Sequence, residues 1–166
     1  MDPVLLRLGI FAILKKRSGP AGCYCPRMIQ RLSHATVYVL DQDRAKDFYV
    51  NKLGFEVRTD ATMGDFRWLT VGPKGQPDME LILMRIASGP MLDEATAKQL
   101  RTLVEKGTFG VGALETPDVR KDYEELSKKG VRFKFPPQER PYGIETVMQD
   151  DSGNWFSVVQ RPRKAS

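Results

Sequence analysis

The chain has 166 residues, 41% hydrophobic and 28% charged, with a formal charge of +5, which suits one globular domain or two small modules sharing a core. No apolar run approaches the roughly 20 residues that span a bilayer, so no membrane-spanning helix is expected. Residues 1–27 hold Arg7, Lys15, Lys16, Arg17 and Arg27 against Asp2 alone; the body is therefore nearly neutral and has no electrostatic footprint for nucleic acid.

The N-terminal stretch "PVLLRLGIFAIL" is apolar, but its basic cluster "KKR" follows instead of preceding it, the reverse of a secretory signal. Residues 1–27 are expected to be a poorly ordered extension, with a membrane-surface helix as the alternative. Cys23 and Cys25, in "CYC", are too close for a relaxed internal disulfide and lack partners for zinc. The body has no cysteine, which points to a reducing compartment or to simple indifference to redox; a cytoplasmic location is expected.

Regular patterning begins near Met28. "LSHATVYVL" alternates as a strand, with Ala35, Val37 and Val39 on one face and His34, Thr36 and Tyr38 on the other. "DQDRAKDFYVNKLG" reads as a helix capped by Asp41 and closed by Gly54, with Ala45, Phe48, Tyr49 and Leu53 on its inner side. The strands "FEVRTDA", "FRWLTVG" and "MELILMRI" follow, separated by turn-formers. An amphipathic helix from about Asp93 to Lys106 comes next; it either covers one mouth of a cavity or packs on the outside of the sheet. The order then repeats: strand "FGVGALETP", helix "DVRKDYEELSKKG" between Asp118 and Gly130, and strands "VRFKF", "IETVMQD" and "NWFSVVQ". "PPQERPYG", residues 136–143, reads as a rigid loop that gates a pocket or merely connects strands. The "DDSGN" turn has neither the ligands of a calcium loop nor the helix of a phosphate loop, so hairpin geometry accounts for it. The fold class is α+β, with two tandem βαβββ modules. Module one spans 30–86, the connecting helix 92–106 and module two 108–162.

"HATVYVLDQDRAKDFYVNKLGFEV" resembles the first-module signature of the vicinal oxygen chelate superfamily, which includes glyoxalase I, extradiol dioxygenases and bleomycin-resistance proteins. "PYGIETVMQDDSGNWFSVVQ" is similar to its second-module ending. The resemblance covers residues 30–162. It implies sheets that curl into a cup, often as a homodimer, with a small molecule on the concave side. In metal-dependent members four side chains line the cup, and the resemblance places them at His34, Glu80, Val111 and Ser157. The first two suit nickel, zinc, manganese or iron; valine cannot bind a metal, and serine is a poor ligand. Glu115, Glu139, Glu145 and Gln149 are the candidates to complete the set.

His34 is then a metal ligand, a general base or a pocket hydrogen-bonder. Glu80 either pairs with it as an acid/base unit or faces solvent. Tyr38, Trp68, Tyr142, Trp155 and Ser157 are the expected ligand-binding residues, their rings forming aromatic walls or, alternatively, core. Three functions follow. The first is a binder of a small organic molecule whose metal site is incomplete. The second is a metal-dependent lyase or isomerase like lactoylglutathione lyase, or a ring-cleaving dioxygenase, using His34 and Glu80. The third is a partner subunit docking through the basic tail.

Overall fold

The computed structural model describes residue 29 and residues 31–162. The expected N-terminal extension, with Cys23 and Cys25, lies outside the described residues.

The first module opens with β1 (His34–Val39), whose alternation buries Val37 and Val39 and leaves His34, Thr36 and Tyr38 on the other face. Asp41 caps α1 (Gln42–Asp47), its carboxylate accepting from the Arg44 amide at 2.8 Å. The expected plain helix to Gly54 is corrected here, because a wider π turn occupies Phe48–Lys52. The turn seats adjacent Phe48 and Tyr49 together in the core, and Gly54 ends it at a positive φ of 75°. Strands β2 (Glu56–Met63), β3 (Phe66–Gly72) and β4 (Glu80–Arg85) complete the module. Their order is β1-β4-β3-β2, with β1 parallel to β4 and the other pairs antiparallel.

Helix α2 (Glu94–Glu105) connects the halves. Ala97 and Val104 pack with Ile86, and Tyr38, Leu40, Leu92 and Leu100 surround them. Tyr38 and Ile86 continue the stripes that begin at His34 and Glu80, so α2 covers one end of that face. The second module repeats the first: β5 (Gly110–Glu115), α3 (Val119–Lys128), β6 (Arg132–Arg140), β7 (Gly143–Gln149) and β8 (Trp155–Gln160), in the order β5-β8-β7-β6. The loop expected at 136–143 is mostly strand. A bulge after Phe133 takes up Lys134 and one after Phe135 takes up Pro136 and Pro137, and β6 pairs with β7 as far as Arg140, opposite Gly143. Only Pro141 and Tyr142 form the turn.

One core lies between the helix-bearing faces of the two sheets. Val37, Tyr49, Leu69 and Leu83 of module one meet Val119, Met148, Phe156 and Val158 of module two, and the rings of Tyr49 and Phe156 are 6.2 Å apart, edge to face. The "DDSGN" turn does more than reverse the chain. Asp150, 1% exposed, accepts from the amides of Ser152, Gly153 and Asn154, the Asn154 side chain and the Tyr49 hydroxyl. Ser152 Oγ accepts from the Leu40 amide at 3.1 Å, and Asn154 Nδ2 donates to the Tyr38 carbonyl at 2.9 Å. The turn is thus a hydrogen-bonded strap between modules. Among the described residues no helix is long and apolar enough to cross a membrane.

Candidate functional site

With the core on one side of each sheet, the opposite faces point outward. On the first sheet, parallel pairing sets His34 directly beside Glu80. His34 Nε2 lies 3.6 Å from Glu80 Oε2, with side-chain exposures of 21% and 24%. Thr70 Oγ1 donates to the same carboxylate oxygen at 2.7 Å, and His34 Nδ1 exchanges a hydrogen bond with Ser33 Oγ at 3.0 Å. Glu80 stands beside His34 on this outward face, one quarter of its side chain exposed. Trp68 lies 6.2 Å from the imidazole, and Phe66 6.3 Å from Trp68. The three rings form a half-exposed aromatic stripe that ends beside the Glu80 carboxylate. Tyr38, expected beside them, packs instead in the cluster under α2.

Arg58 joins this face, and nothing in the residue pattern pointed to it. A bulge between Val57 and Thr59 frees it from the ladder, and its guanidinium lies against Gly72, whose missing side chain leaves the space. Nη1 donates to Glu56 and Nη2 to the Pro73 carbonyl, both at 2.9 Å, while the buried Nε has no partner.

On the second sheet, Val111 does not occupy the position that spacing from Asp118 assigns to it. A register shift between Gly110 and Gly112 turns it inward, where it packs on the core. The outward position at the head of β5 is Gly110, paired with Trp155, and the indole lies over it. Lys134 Nζ sits 4.9 Å from the Trp155 ring centroid, and Arg140 lies 5.7 Å from that of Phe135. Ser157 donates to Glu145, which also accepts from the Tyr142 hydroxyl at 2.9 Å and Arg140 Nε at 3.4 Å. The hydrogen bond from Ser157, helped by Tyr142 and Arg140, holds the Glu145 carboxyl below its ordinary range, and the Tyr142 hydroxyl is raised in turn.

The fit to a metal is poor. Among the described residues no three His, Cys, Asp or Glu side chains come together to hold an ion. The candidates for completing the set are engaged elsewhere: Glu145 as above, Glu115 with Arg161, Glu139 with Arg120, and Gln149 with the Gly153 carbonyl. Two donors leave a divalent ion mostly hydrated, and no chemistry is derived through one. No hydrogen bond, ion pair or ring contact among the described residues joins the His34–Glu80 face to the Trp155–Ser157 face.

The architecture is one of paired βαβββ modules, each with its first strand parallel to its last. Residues 31–158 match the Glyoxalase/Bleomycin resistance protein/Dioxygenase superfamily, and the chain belongs to that family. It is 52% identical to the structure of UcmS2, with a TM-score of 0.75, covering 80% of this chain and 98% of that one. It is 29% identical to TnmS3, an antibiotic binding protein from Streptomyces sp. CB03234, with a TM-score of 0.64 over 82% of this chain and 99% of that one. It is 35% identical to the uncharacterized protein YurT of Bacillus subtilis strain 168, covering 76% of this chain and 95% of that protein.

Proposed function

We propose that the protein binds a small, flat organic molecule and holds it unchanged, as an antibiotic-sequestering resistance protein does. It acts in the cytoplasm as a homodimer, in which the His34 face of one chain and the Trp155 face of its partner close around the ligand as a cup. The observation that carries this reading is the aromatic stripe of Phe66, Trp68 and His34, open on one side and ending at a carboxylate already bonded to Thr70. Such a surface offers stacking area and one fixed polar anchor. The likeness to TnmS3 supports it.

The test is equilibrium titration with a panel of aromatic antibiotics, followed by mass spectrometry of the recovered compound. Saturable binding with the compound returned intact is the expected result. Time-dependent conversion over many turnovers sinks it. The 3.6 Å contact of His34 and Glu80 favours one second reading, a glyoxalase-type acid/base catalyst. Turnover that is abolished in His34→Ala establishes that reading in place of the first.

A further inference from the structure

The charges on the two outward faces are unequally satisfied. Glu80 is engaged by Thr70 and His34, and Glu145 by Ser157, Tyr142 and Arg140. Neither carboxylate is left to recruit a cationic ligand. Lys134 is the opposite case. It is exposed on a bulge of β6, and among the described residues no carboxylate lies within ion-pair distance of it; its contact is with the face of Trp155. The indole is in turn laid against β5 by Gly110, where a Cβ would stand 2.3 Å from the ring. A rigidly seated ring with an unneutralised ammonium above it combines a stacking platform with an anion contact.

We propose that Trp155 and Lys134 form a subsite for a planar aromatic ring bearing an acidic oxygen, a carboxylate or phenolate. Resting on the binding role proposed above, this makes the ligand an aromatic acid. The ring stacks on the indole, and the ammonium swings from the indole face to the acidic oxygen.

The test titrates the full-length chain with 2-naphthoate and with its neutral isostere 2-naphthamide, in wild type, Lys134→Met and Lys134→Arg. The expected result is a preference for the acid of about tenfold in wild type, weakened by added salt. Lys134→Met loses the preference while keeping its affinity for the amide, and Lys134→Arg retains it. Equal affinities in wild type, or a preference that survives Lys134→Met, overturn the proposal while leaving the binding role standing. A preference lost in His34→Ala but kept in Lys134→Met places the anion on the other face and also overturns it. Failure of both compounds to bind overturns this subsite, while the binding role stands or falls on the antibiotic titration described above.

Discussion

A side chain at position 110 would be built into the Trp155 indole, since its Cβ would lie 2.3 Å from the ring. Gly110→Ala is therefore expected to displace the ring and cost about 1–3 kcal/mol, as overpacking does. A thermal melt reads the cost, and a red-shifted emission in a Trp68→Phe background reports the displaced indole. Asp151 offers a second test. Burial, then repulsion from Asp150, raises its pKa to about 6, with Arg44 partly opposing. A carboxyl whose folded pKa lies above its unfolded value near 4 destabilises the fold once ionised. Stability on this account is highest below about pH 4 and falls as pH rises through 6. Two pK units correspond to about 2.7 kcal/mol, which solvent screening at this partly open position reduces to about 1 kcal/mol. Asp151→Asn should raise the melting temperature at pH 7, and the gain should vanish toward pH 4; a gain constant with pH would refute the assignment. At this scale the sequence was informative where alternation rules. His34 and Glu80 stand on strands whose faces can be read by twos, and they meet. Val111 was misplaced because the irregularity at Gly110 breaks that count.

Among the elements, the helix caps were the most legible feature. Asp41, Asp93 and Asp118 each accept from an amide three residues on. Asp118→Ala should cost about 1 kcal/mol, visible as a lower urea midpoint at unchanged slope; no shift would mean that packing alone holds α3. The hairpin of β6 and β7 was the least legible, because two adjacent prolines ordinarily end a strand. Here the bulges place both where the ladder is already interrupted. The π turn at Phe48–Lys52 is equally silent in composition. Burial of both Phe48 and Tyr49 is no sign of it, since positions three and four residues on from Ala45 share the inner face of an ordinary α-helix as well. Deleting Val50 should restore α geometry and rotate one ring outward, and loss of the cooperative melt would register it.

At the scale of the molecule, the strap at Asp150 predicts that the modules unfold together. Asp150→Ala orphans several buried donors at once, and about 3 kcal/mol or more should be lost. Calorimetry should still show one transition, shifted down, with calorimetric and van't Hoff enthalpies equal. Two separated transitions would mean that each half stands alone. The repeated order of elements made the two modules readable and the length allowed them a shared core, but which faces meet was not readable, because the apolar faces of α1 and α3 give no sign of their partner. The parallel pairing within each module also bears on how the protein is made. His34 and Glu80 are joined only after roughly 45 residues of intervening chain have folded back, the kind of long-range closure that slows folding. Phe156 and Val158, on the last strand, must then arrive to seal the core around Tyr49. A nascent chain therefore carries all of its first face before it has the means to keep it rigid. On the binding role proposed above, a chain cut short of β8 is expected to hold no ligand, because Phe156 and Val158 are then missing from the core behind that face.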